Sequence, residues 1–126
     1  MGMGVAMAAT TRRPTWRGTI PVPPSTNALY SGRRFKTRVY KDWAAEAGWD
    51  LKLRGLPQAP IPRPIVTVTV PRRGGRDLDN FLKATMDLLQ EMRVIGNDNQ
   101  VEKITISWSD DPAFVAHITV DSADGP

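Results

Sequence analysis

The cleanest alternation in the chain is "PIVTVTVP" at residues 64–71, where β-branched residues take every second position between two prolines. A period of two is the mark of a strand. Upstream the period changes. Val39, Trp43, Ala47 and Leu51 recur every four residues, which predicts a helix over about 37–53 with Gly55 as its terminator. Before it, "RGTIPVPPSTN" (17–27) predicts a short strand over 17–22, stopped by Pro23 and Pro24 and confined by proline to the edge or end of a sheet. After "PIVTVTVP", the basic glycine-rich turn "PRRGGR" (71–76) leads to a second helical stretch over about 79–91, with Phe81, Leu82, Met86 and Leu89 facing inward. "RVIGNDNQ" (93–100) reads as a turn. "VEKITISW" (101–108) and "AFVAHITV" (113–120) then alternate around "SDDP" and predict a β-hairpin.

The resulting order, β-α-β-α-β-β without an internal repeat, specifies an α+β domain: a mixed sheet with helices packed against it. One domain over 16–121 is expected, with a flexible leader (1–15) and a flexible tail (122–126). The proline-rich "LPQAPIPRP" (56–64) is too short to separate two domains.

Composition narrows the chemistry. With 126 residues the chain can bury a real core, and 40% apolar with 24% charged residues is ordinary for a globular protein. No apolar run reaches the length of a membrane span. The opening "MGMGVAMAAT" lacks the basic region of a signal peptide, and Ala6 stands where a myristoylation motif needs serine or threonine. Zero cysteines exclude disulfides, thiolate zinc sites and a cysteine nucleophile, and fit a cytoplasmic protein. The single histidine, His117, cannot build a histidine-rich zinc site and, alternating within a strand, is expected to be structural.

Charge is unevenly placed. All 17 Lys and Arg lie at or before Lys103 against nine acids, +8 in all, while the remainder carries Asp110, Asp111, Asp121 and Asp124 and no base. A basic body is the electrostatic footprint of a nucleic-acid partner. "RRFKTRVYK" (33–41) interleaves five positive charges with Phe35 and Tyr40, and "PRRGGR" adds three more beside an acidic group. Arg33, Arg34, Lys36, Arg38, Arg72, Arg73 and Arg76 are therefore candidate phosphate contacts, with Asn80 among the acids as a further DNA-binding candidate.

That acidic group is "RDLDNFLK" (76–83). If Asp77 and Asp79 close an extended segment, residues two apart face the same way and both carboxylates reach one point. They repel unless a cation lies between them, and Mg²⁺, a hard ion, commonly takes one or two carboxylates with phosphate and water. Asp98 lies 19 residues beyond Asp79, and the helix and turn between can return it to the same end of the sheet. Lys83, one turn into the helix, could then reach a phosphate or a leaving oxygen. Spacing alone nonetheless favours an ordinary helix start, with Asp79 as an N-cap, Lys83 paired to Asp79 or Asp87, and Asp98 as a turn residue.

"DLDNFLKATMDLL" followed by "VIGNDNQV", with "PVPPSTN" upstream, resembles the signature of the RusA family of Holliday-junction resolvases over roughly residues 17–120. The resemblance implies a small homodimeric, Mg²⁺-dependent endonuclease (Mn²⁺ as an alternative ion) that resolves four-way DNA junctions by paired nicks. It implies that Asp77, Asp79 and Asp98 are catalytic, metal-binding carboxylates and that Lys83 is the catalytic or phosphate-contacting lysine. Many members carry two consecutive aspartates in the turn, where this chain has Asn97 before Asp98. Two rival readings stay open: a non-catalytic DNA- or junction-binding protein, and a phosphoryl-transfer enzyme acting on a small molecule. Of the tryptophans, Trp43 and Trp49 are expected in the core or an interface, Trp108 at a strand end and Trp16 in the leader, none of them for base stacking.

Overall fold

The computed structural model describes residues 16–24, 30, 31, 35–72 and 77–125. The expected leader, the tip of the 33–41 basic run and most of "PRRGGR" lie outside them. The elements are β1 (Trp16–Pro21), β2 (Tyr30–Ser31), β3 (Phe35–Lys36), α1 (Arg38–Arg54), β4 (Pro64–Pro71), a first 3₁₀ turn (Leu78–Phe81), α2 (Leu82–Glu91), a second 3₁₀ turn (Asp98–Gln100), β5 (Lys103–Ser109) and β6 (Val115–Ser122). Four strands form a mixed sheet in the order β1-β6-β4-β5, and β2 pairs with β3 in a separate ribbon.

The alternation of β4 is realised without a slip. Val66, Val68 and Val70 are fully buried, and each has same-face register partners on the adjacent strands: Val66 pairs with Val120 and with the exposed Ile104, and Val68 with Ile118 and Ile106. β1 presents Trp16, Gly18 and Ile20 to the same face. Gly18 is required there, since a Cβ would stand 2.4 Å from the Trp16 ring and 2.8 Å from a Leu51 methyl. β1 is an edge strand, as its prolines demand.

α1 begins where Thr37 accepts a hydrogen bond from the Tyr40 amide (3.2 Å) and ends at Gly55, whose φ of 116° only glycine adopts easily. Lys52 and Arg54 in its last turn complement the helix dipole. Trp43, Ala47 and Leu51 form the buried stripe, but Val39 is exposed and Tyr40 takes its place. The reason is polar: the Tyr40 hydroxyl donates to Glu91 (3.0 Å), tying the start of α1 to the end of α2. Trp43 donates its indole N–H to the Pro21 carbonyl (2.9 Å). Trp16 is no leader residue; it opens β1 and donates to the Gly55 carbonyl (3.0 Å). Trp49, 62% exposed, is not in the core.

The expected hairpin does not form. β5 pairs in parallel with β4 alone, while β6 runs antiparallel in the slot between β4 and β1. α2 carries the chain back across the sheet face, so β5 arrives parallel to β4. The five residues of 110–114 reach across one strand spacing or two, roughly 5 or 10 Å, with equal ease. Burial decides: between two neighbours Ala116, Ile118 and Val120 are at most 1% exposed, whereas β5 remains a largely exposed edge. Both helices cover one face; the other carries the rows Arg17–Thr119–Thr67–Thr105 and Thr19–His117–Thr69–Ser107.

Candidate active site

The segment after β4 does not continue extended. Asp77 is the last β-like residue (φ −84°, ψ 144°), and its carbonyl accepts from the Asn80 amide (3.1 Å), closing the 3₁₀ turn Leu78–Phe81. With three residues per turn, side chains two apart point in different directions. The same-face argument for Asp77 and Asp79 therefore fails locally. Neither aspartate caps: Asp77 makes no side-chain cap bond, and the residue before α2 is Phe81. Phe81, fully buried, pins the turn. Its ring meets Trp108 of β5 edge to face (centroids 6.0 Å, 75°), and its carbonyl accepts from the buried Thr85 hydroxyl (3.0 Å).

α2 ends in a compact reversal. Arg93 takes a left-handed φ of 60°, and Val94 and Ile95 are fully buried beneath it. The Asp98 amide then donates to the Gln90 side chain (3.3 Å), and Asn97 accepts from the Asn99 amide (3.1 Å) to start the second 3₁₀ turn. Asn97 is therefore the turn's own cap.

These turns flank one cleft of about 430 Å³ between α2 and β5, lined by Asp79, Leu82, Lys83, Met86, Asp87, Asp98 and Ile104. The structure thus brings together Asp79, Lys83 and Asp98, and leaves Asp77, two residues earlier, outside the lining. A larger groove of about 610 Å³ beside α1 and β1 contains no residue singled out for chemistry.

Lys83 is half exposed and pairs with Asp87 (3.5 Å), whose side chain is only 13% exposed. Asp87 is the cleft residue that sequence reasoning left as a possible surface partner. Its spacing of four from Lys83 was the available signal, and its position in the cleft was not legible. Among the described residues, no three His, Cys, Asp or Glu side chains converge on a metal-sized point. The donors in the cleft are oxygens only. That suits a hard cation completed by phosphate and water better than a closed protein cage.

Of the candidate DNA contacts, Arg38 opens α1 on the surface, and Asn80 lies in the first 3₁₀ turn. Arg72 is exposed at the end of β4; its guanidinium carbon lies 5.8 Å from the Trp108 ring centroid, and its Nε 3.8 Å from Asp110. Lys36 is in β3. Arg33, Arg34, Arg73 and Arg76 lie outside the described residues. His117 is on the uncovered sheet face, Nε2 2.5 Å from Asp111, whose carboxyl it holds below the usual aspartate range.

A family model described as endodeoxyribonuclease RusA matches residues 21–120 of this chain. The crossover junction endodeoxyribonuclease RusA of Aquifex aeolicus (strain VF5) is 33% identical over 90 residues, covering 68% of this chain and 71% of that protein.

Proposed function

This chain belongs to the RusA family of endodeoxyribonucleases, and from that membership we propose that it resolves four-way DNA junctions by paired symmetric nicks as a homodimer dependent on Mg²⁺. The observation that carries the proposal is the cleft that Asp79, Lys83 and Asp98 line together, although 19 residues separate the two aspartates. Asp79 and Asp98 would hold the ion, with Asp77 beside them as the third carboxylate that the family resemblance implies. When bound, a divalent cation supplies charge stabilisation on the phosphoryl oxygens and activation of the attacking water.

The chain's own groups do the rest. Lys83 offers its ammonium to a non-bridging phosphate oxygen or to the leaving oxygen, where negative charge develops. Leu82, Met86 and Ile104 keep one wall of the cleft apolar, which strengthens the electrostatics within it. Arg38 and Arg72, with Arg33, Arg34, Lys36, Arg73, Arg76 and Asn80, hold the DNA through contacts that carry little sequence information. A two-fold dimer offers the same cleft to each of two equivalent strands. Acting on DNA, the protein works in the cytoplasm of a bacterial cell. No helix of the described residues is long and apolar enough to cross a membrane.

The test is cleavage of a labelled mobile four-way junction with Mg²⁺, beside the same DNA as linear duplex. Symmetric nicks confined to the junction are expected. Binding without nicking across several metals and junction sequences would instead favour the non-catalytic reading, and normal cleavage by Asp79→Asn would remove the cleft from the chemistry.

A further inference from the structure

Three carboxylates line the cleft, and they are not equivalent. Asp79 and Asp98 are exposed, each on a 3₁₀ turn. Asp87 lies on α2 itself, one helical turn beyond Lys83, with its side chain 13% exposed against 49% for the lysine. A carboxylate with so little exposure has few water partners and is held by the donors around it. The described ion pair of Lys83 is with Asp87, at 3.5 Å, and not with either exposed aspartate.

We propose that Asp87 is a positioning residue for Lys83, anchoring its ammonium one turn down α2 from Asp79 so that it faces the substrate phosphate without neutralising Asp79 and Asp98. This rests on the reading of the cleft as a phosphodiester-cleaving site. The physical reason lies in the flexibility of lysine, a point charge on a four-carbon stem. In a cleft with three carboxylates, an unanchored ammonium is drawn to whichever is nearest, and pairing with Asp79 or Asp98 weakens their hold on a divalent ion. Asp87 removes that competition. Its place on the helix, rather than on a turn, gives it a fixed backbone, and its burial keeps the carboxylate from swinging into solvent. Lysine and aspartate four apart share a helix face, so the geometry follows from α2 being regular from Leu82 onward.

The experiment uses the full-length protein and four forms: wild type, Lys83→Gln, Asp87→Asn and the double variant. Single-turnover junction cleavage, with protein in excess and Mg²⁺ saturating, is expected to slow about tenfold in Asp87→Asn, and the double variant should be no slower than Lys83→Gln alone. Junction affinity without metal, and Mn²⁺ binding without DNA followed by electron paramagnetic resonance, should both stay within about twofold of wild type for Asp87→Asn. Asp87→Glu, which keeps the charge, should regain most of the rate. If Asp87→Asn does not fold, the test falls to Asp87→Glu and its combination with Lys83→Gln, and a combined variant slower than Lys83→Gln alone would show independent roles.

Three results would overturn the assignment. Wild-type cleavage by Asp87→Asn is one. A second is a double variant that multiplies the two single losses. The third is loss of Mn²⁺ binding in Asp87→Asn, which would make Asp87 a ligand and not a positioning group. If Lys83→Gln itself cleaves normally, the broader reading of the lysine falls as well. A slow Lys83→Gln beside a normal Asp87→Asn removes only the positioning role.

Discussion

The two margins of the sheet are built alike, an edge strand beneath one helix, and they differ in how each helix begins and ends. Over β1, α1 starts at a threonine cap, closes on a glycine and anchors two buried tryptophans by indole hydrogen bonds to backbone carbonyls. Beside β5, α2 starts from one 3₁₀ turn and leads through a compact reversal to another, and each turn places an exposed aspartate on the same cleft. The first margin binds its two indole N–H groups to backbone carbonyls and shows ordinary solvated charges along the outer face of α1. The second gathers Asp79, Lys83, Asp87 and Asp98 around one cleft, with β5 left largely exposed. The same supersecondary plan thus closes on itself on one side and opens the proposed site on the other, and the difference resides in the helix termini.

The largest expected effect separates the margins by function. Asp79→Asn should slow junction cleavage about a thousandfold while junction affinity is retained or tightened, because a negative charge facing DNA has been removed. Parallel gel-shift and cleavage measurements check this, and an equal loss of binding and cleavage in a folded variant would erase the distinction. On the β1 side, Leu51→Ala should cost about 3 kcal/mol of stability in urea unfolding, with the cleavage rate per folded molecule unchanged, since Leu51 is fully buried and lines no part of the cleft.

A smaller change probes the packing beneath the second margin. Trp108 touches Phe81 of the acidic turn and carries Arg72 on its ring. Trp108→Leu should cost about 1 kcal/mol through the lost aromatic contact, and should also weaken junction binding with a shallower salt dependence. A stability loss without that change in slope would place Arg72 outside the DNA contacts.

The smallest effect concerns the uncovered face. His117 hydrogen-bonds Asp111 and holds its carboxyl below the ordinary value of 3.8; the Ala113 amide adds to the same shift. A depressed carboxyl contributes stability above its unfolded value and loses it as pH falls through the lower folded one. The contribution is therefore complete at neutral pH and disappears only in acid below about 3.8. Carbon-detected NMR titration should find Asp111 low in the wild type and raised toward 3.8 in His117→Ala, without a change in cleavage.

How legible the molecule was depended on whether a feature is local. β4 is found where its alternation places it, α1 is displaced by one residue from its expected bounds, and β1 occupies the edge its prolines require. Val39 fits the helical period yet lies outside, because the Tyr40–Glu91 hydrogen bond, a contact 51 residues apart, turns the helix. The hairpin failed for a related reason: a turn between two alternating runs specifies reversal of direction and not which strand will be the neighbour. Asp77 and Asp79 were paired on the assumption of extended backbone, and the Asn80 amide closing onto Asp77 removed it.

By itself the sequence determined the strand and helix periods, the basic body, the absence of thiol chemistry, and the acidic and lysine residues that carry the family's signature. These depend on residue type and short-range spacing, which the chain states directly. Only the tertiary structure decided that β6 inserts between β1 and β4, that the chain reverses over the fully buried Val94 and Ile95 to place Asp98 on the cleft that Asp79 also lines, and that Asp87 shares that cleft. Those outcomes are set by which apolar surface can be buried together, a property of the whole chain that no window of residues contains.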